Sequence, residues 1–171
     1  MIFGQVSPSG KLTVTFPRHV GQIPSYYDHQ PSRFRNYVLA DSTPLYPFGF
    51  GLSYASFEYK NLQVSPAKIS PQGTAKVSID VTNTGTVKAN EIVQLYIHDV
   101  VSLPVRPVQE LKDFARITLN PGETRTVTFD LTPDKLAAYD LKMQRTVTPG
   151  DFEILVGKSS VEVLKTTLRV E

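Results

Sequence analysis

The chain contains no cysteine. That excludes disulfide cross-links, cysteine-ligated zinc and thiol nucleophiles. It leaves the compartment open, because exported bacterial proteins often lack cysteine too, so a periplasmic or secreted setting is compatible with it. Long apolar runs are also missing. Nothing approaches the roughly 20 residues that a membrane helix needs, and Met1-Ile2-Phe3-Gly4 gives way at once to polar residues instead of the apolar stretch of a secretion leader. No membrane partner is expected. Charge of one sign is scarce: 18 Lys and Arg stand against 16 Asp and Glu, with no basic run. No nucleic-acid partner is expected on that balance. The three histidines, His19, His29 and His98, lie at no metal-ligand spacing. Neither a Gly-x-Ser-x-Gly elbow nor a phosphate-cradling glycine loop occurs. No metal and no cofactor are expected.

What is present is a chain of 171 residues, 40% hydrophobic and 20% charged, the composition of a folded domain. Its Phe and Tyr are unevenly spread. Ten of the seventeen lie in residues 1–54, with five of the ten glycines and six of the thirteen prolines. A segment so aromatic and so often interrupted cannot build a core of its own. The densest part is Pro44-Leu-Tyr-Pro-Phe-Gly-Phe-Gly-Leu-Ser-Tyr54. Pro47 bars a regular helix or central strand, and Gly49 and Gly51 weaken either. The stretch should be an irregular joint whose aromatics need a surface to bury against. Upstream, Lys11-Leu-Thr-Val-Thr-Phe16 alternates like one strand before Pro17. A lone strand must join a sheet, and no partner strand is visible before residue 55.

From Ser56 onward, short alternating runs are separated by turn signals, the pattern of an all-β sandwich. Phe57, Tyr59, Leu62 and Val64 mark the first run; Ala75, Val77, Ile79 and Val81 the second, ending at Asn83-Thr-Gly85. Val93, Leu95 and Ile97 face one way on the third, with Gln94 and Tyr96 opposite. Leu111 to Leu119, Val127 to Leu131 and Phe152 to Val156 follow, and a last strand is expected around 161–170. Thr132-Pro133 predicts a short helical turn with Asp134 as its cap, leading into a tyrosine corner in which Tyr139 bonds back to an upstream carbonyl. The total is seven or eight strands in about 115 residues, close to the ~100 of immunoglobulin-like sandwiches.

The 44–54 motif, followed by Phe57-Glu-Tyr59, resembles the segment that introduces the C-terminal fibronectin type III-like domain of family 3 glycoside hydrolases, the bacterial β-glucosidase and β-xylosidase group. Pro8-Ser-Gly-Lys-Leu12 through Pro17 is similar to the segment closing the family's preceding α/β sandwich domain. Val20-Gly-Gln-Ile-Pro24 through Pro31 is similar to its linker. Val81-Thr-Asn-Thr-Gly85, Glu91-Ile-Val-Gln-Leu-Tyr96, Arg106-Pro-Val-x-Glu-Leu-Lys112 and Pro149-Gly-x-Phe152 match the type III-like domain. The implied organisation is a remnant of the α/β domain over 1–18, a linker over 19–54, and an all-β, immunoglobulin/fibronectin type III-like sandwich over 55–171.

The resemblance implies a retaining glycoside hydrolase, which works through an Asp nucleophile and a Glu acid/base. In the family these belong to segments ahead of this one, and neither motif occurs here. No catalytic residue is therefore assigned, and the chain alone is expected to be inactive. The sixteen Asp and Glu are spread singly. Asp130 with Asp134, and Asp99 beside His98, are the nearest to clusters, and both read as structural. The expected role is that of an accessory domain packing on the catalytic domains, in cis or in trans, through Tyr46, Pro47, Phe48, Phe50, Leu52 and Tyr54. Aromatics stack on sugars and guanidinium binds hydroxyls, so Tyr26, Tyr27, Arg33 and Arg35 are candidates for a substrate-adjacent role. Packing of the linker is the commoner use of such residues. The alternative is a stand-alone module that binds an oligosaccharide through surface aromatics such as Tyr96, or a protein partner through residues 11–16.

Overall fold

The computed structural model describes residues 1–31, 41–102 and 104–171. Ten strands follow Ala55: β1 (Phe57–Ser65), β2 (Lys68–Ile69), β3 (Ala75–Asn83), β4 (Ala89–Asp99), β5 (Glu110–Leu119), β6 (Thr124–Leu131), β7 (Ala138–Tyr139), β8 (Arg145–Thr146), β9 (Gly150–Gly157) and β10 (Val163–Val170). A single helical turn, α1 (Pro133–Leu136), precedes β7. Seven strands are of full length and three are two-residue pairs.

An alternating strand has one apolar face, and two such sheets bury theirs against each other. One sheet has the order β1-β3-β6 and the other β2-β10-β9-β4-β5. Neighbours are antiparallel except β2 beside β10. Val77, Ile79 and Val81 of β3 and Phe129 of β6 meet Val93, Leu95 and Ile97 of β4 and Phe152, Ile154 and Val156 of β9 in the core. These are the residues whose alternation marks the strands in the sequence. The architecture is the all-β sandwich that the pattern predicts.

The outer face of the larger sheet departs from that pattern. Gln94 and Tyr96 of β4 and Leu155 of β9 point away from the core, yet all three are buried. Gly49 and Phe48 of the 44–54 joint cover Gln94 and Tyr96. The anticipated strand over 11–16 does not form either. Among the described residues, only Phe16 and Tyr46 make a bridge there, accompanied by hydrogen bonds from Leu12 N to Phe50 O and from Gly49 N to Leu12 O, each 2.8 Å. The backbone partner of residues 12–16 is thus the joint itself. Pro47, which has no N–H to donate, interrupts the ladder at the middle.

Two further local expectations are corrected. Tyr139 is exposed, and among the described residues its hydroxyl meets no partner. The tie to the 132–137 corner comes instead from the buried Arg106, whose Nη1 donates to Leu136 O at 2.9 Å. Asp134 is not the cap of α1. Thr132 holds that position without a side-chain bond, and Asp134 lies in the first turn, where Arg145 of β8 pairs with it at 2.6 Å.

Candidate functional site

The joint has one face toward the sandwich and one toward solvent. On the inner face, Phe48 stacks on Tyr27, with ring centroids 4.1 Å apart and planes at 23°. Both rings present an edge to Tyr96, at 6.5 and 5.8 Å. Edge-to-face pairing of this kind adds to simple burial. Burial raises the Tyr27 phenol above its usual range, and the hydrogen bond it accepts from Leu111 N at 3.2 Å partly opposes that. Tyr27 therefore serves as a clamp on β5. Tyr26, the other aromatic of the pair, is partly exposed beside it. Arg33 and Arg35 lie outside the described residues.

Gln94 is the polar centre of this face. Its amide donates to Gly49 O at 3.2 Å and Lys158 O at 2.6 Å, and its Oε1 accepts from the Tyr96 hydroxyl at 2.5 Å. Ser160 N also donates to Phe48 O at 3.0 Å. The polar groups around Gln94 thereby find partners, whereas Thr15 Oγ1 and His98 Nδ1 are buried without one among the described residues. Gly49 has φ of +79°, and a Cβ there would lie 2.1 Å from Gln94 Oε1. The glycine of the motif is required by both conformation and space.

A second tie runs from residue 11. The Lys11 ammonium pairs with Glu91 Oε1 at 3.0 Å, and the Tyr59 hydroxyl donates to the same oxygen at 2.9 Å. Burial, followed by the Glu91 charge, pushes the Tyr59 phenol far above its usual range, so it remains a neutral donor. Lys11 comes from the front segment, Glu91 from β4 and Tyr59 from β1. The pair therefore anchors the front segment to both sheets.

The outer face of the joint is apolar. Phe16, Tyr46 and Phe50 form a continuous row, with Phe16 edge-on to Tyr46 at 6.4 Å and Tyr46 tilted on Phe50 at 5.0 Å. Phe16 is 43% exposed, Tyr46 42%, Tyr54 52% and Leu52 72%. Ile2, Phe3, Val6 and Val14 extend the same character along the front segment. Of the six joint residues, Phe48 turns to the sandwich and Pro47 is half-buried; Tyr46, Leu52 and Tyr54 remain open, with Phe50 between.

The carboxylates are engaged in structural ties. Asp99 and Glu110 flank Arg106, at 3.4 and 2.6 Å. Burial raises Asp99, and the adjacent guanidinium limits the rise. For Glu110, burial alone would raise the carboxyl, but the Arg106 and Lys112 contacts outweigh it and hold it below the usual range. Sequence reasoning missed Arg106, although it opens one of the matched motifs. Its signal was a cation in a long proline-rich loop between two strand-end carboxylates. Among the described residues, no group of three or more His, Asp or Glu could hold a metal.

Comparison with known proteins matches this geometry to a defined source. A model of the glycosyl hydrolase family 3 C-terminal domain matches residues 1–54, and a model of the fibronectin type III-like domain matches residues 91–160. A β-xylosidase of Formosa agariphila is 47% identical over 94% of this chain and 23% of its own length. The thermostable β-glucosidase B of Acetivibrio thermocellus is 41% identical over 99% of this chain and 24% of its own. The solved structure of a β-glucosidase from Erythrobacter marinus superposes with a TM-score of 0.96 at 44% identity, over 99% of this chain and 23% of that one. The chain thus spans about a quarter of the length of the relatives it matches. With both domain models matched in order and a β-glucosidase sharing the fold, the chain corresponds to the C-terminal part of a family 3 glycoside hydrolase.

Proposed function

We propose that this chain is the accessory unit of a retaining β-glycosidase of the β-glucosidase or β-xylosidase type, docking on the catalytic domains through the outer face of the 1–54 segment. The enzyme would hydrolyse O-glycosidic bonds through a glycosyl-enzyme intermediate, using two carboxylates about 5–5.5 Å apart, and neither is assigned to this chain. The observation that carries the reading is the two-sided joint. Phe48, Gly49 and Tyr27 are bonded into the sandwich, while Phe16, Tyr46, Leu52 and Tyr54 are held at its surface. A row of fixed, exposed aromatics is the form of an unfilled interface. The domain division at 18 and 54 belongs to the same proposal. The glycan-binding alternative loses Tyr96, which is fully buried. What favours it is a polar cleft beside Glu91.

The test is a graft. This chain replaces the corresponding quarter of the Erythrobacter β-glucosidase, and turnover of an aryl β-glucoside and the melting temperature are measured. The graft should be active and the chain alone inactive. Phe16→Ser with Tyr46→Ser should lower the melting temperature of the graft more than that of the chain alone. Turnover by the isolated chain, abolished by changing one of its own carboxylates, would refute the proposal. So would equal effects of the double substitution in the two settings.

A further inference from the structure

Where the front segment meets β1, β4 and the β9–β10 turn, a cleft of about 260 Å³ opens to solvent. Lys11, Glu91, Lys158 and Glu162 line it, with the half-buried Phe50 on one wall and the exposed Ser56 at its rim. The Glu91 side chain is only 4% exposed. Both of its donors, Lys11 Nζ and Tyr59 Oη, crowd onto Oε1. Among the described residues nothing donates to Oε2. Oε2 is not sealed off without a partner but reaches the cleft, where it is an acceptor open to solvent or to a ligand. Lys158 and Glu162 face each other loosely, at 3.8 Å, which leaves both available.

The chemistry of the ligand follows from the balance of groups. Two ammonium and two carboxylate groups make the cleft neutral, so it draws neither an anion nor a cation. Interleaved donors and acceptors beside an aromatic ring suit a neutral molecule bearing many hydroxyls and an apolar C–H face. A cleft below the ~300 Å³ of ordinary ligand pockets admits a small one. We propose that this cleft binds one pyranose unit of a neutral saccharide, with Glu91 Oε2 accepting from a sugar hydroxyl, Lys158 donating to another, and Phe50 against the ring. The site is built within one chain; it shares Phe50 and Leu52 with the docking face, so it is tested on the chain alone. It needs no catalytic domain, and failure of the graft leaves it untouched.

The experiment is a titration of the ¹⁵N-labelled full chain with methyl β-D-glucopyranoside, cellobiose and xylobiose, followed by amide chemical shifts. Saturable shifts are expected at residues 9–11, 50–56 and 158–162. Glu91→Gln, which keeps the shape and removes the charged acceptor, should weaken binding about tenfold or more. Should that variant fail to fold, Ser56→Leu narrows the rim without touching the Glu91 network and should weaken binding while leaving the rest of the spectrum in place. No saturable shift with any of the three sugars overturns the proposal. So do shifts centred outside the cleft, or a folded Ser56→Leu chain that binds like the parent.

Discussion

Gly49→Ala separates what the joint does from what the sandwich does. At φ of +79°, an alanine carries about 1–2 kcal/mol of backbone strain. Its Cβ would also lie 2.1 Å from Gln94 Oε1 and 2.9 Å from Gln94 Cδ. The amide must move, and forcing a methyl into a filled site costs about 1–3 kcal/mol. Moving it strands the Tyr96 hydroxyl, Gly49 O and Lys158 O, and a buried polar group left unpaired costs about 1–3 kcal/mol. Partial relaxation should leave a total of about 3–5 kcal/mol, a large share of the ~5–15 kcal/mol by which domains are stable. For a chain of this size that lowers the melting temperature by roughly 10 °C. Gly122 supplies the control. Its φ is +75°, but nothing lies within 4 Å of a Cβ there, so Gly122→Ala carries the strain of about 1–2 kcal/mol alone. Thermal and guanidinium unfolding, followed by circular dichroism, read both variants. Equal losses in the two, or a loss below about 1 kcal/mol at Gly49, would refute the idea that the joint is locked onto β4 through Gln94.

Three further outcomes follow from the same geometry. Arg106→Met should cost about 3–5 kcal/mol in chemical unfolding, because it leaves the buried Asp99 without its cation and Leu136 O without its donor. The acid limb of the stability curve should respond with opposite signs to the two carboxylates beside Arg106. Glu110 is held below its usual 4.5, so its contribution is present above that pH and is lost as pH falls through the lowered folded value; Glu110→Gln should flatten the limb. Asp99 is raised above its usual 3.8, so its ionisation costs stability as pH rises through the folded value; Asp99→Asn should steepen the limb, as read by unfolding midpoints across acid pH. Finally, Tyr27→Ala should destabilise the isolated chain by about 2–3 kcal/mol through loss of a packed ring. Tyr46→Ala, on the open face, should cost below about 1 kcal/mol in the same guanidinium unfolding.

The strands were legible because alternation is local. Val77, Ile79 and Val81, or Phe152, Ile154 and Val156, announce a buried face whatever lies above it. The turn at Asn83-Thr-Gly85 was legible for the same reason, since Asn83 Oδ1 accepts from Gly85 N two residues on. The family motifs were legible as strings, and so was the irregular backbone of the 44–54 stretch; that Gly49 is required was not, because the demand comes from Gln94. Which face of the joint would be dry was not legible. Gln94 and Tyr96 have the pattern of solvated positions, and only a cover brought from 45 residues earlier, at Gly49, buries them. The bond expected of Tyr139 went to Arg106, from a loop about thirty residues upstream of the corner. Glu91 reads as one strand residue among many until Lys11 and Tyr59 arrive from two other segments and crowd one of its oxygens. Sequence by itself determined the sheets and the family motifs, because each depends on neighbours along the chain. Tertiary structure decided which polar groups are buried and which aromatics stay open, because burial depends on what distant segments bring to cover them.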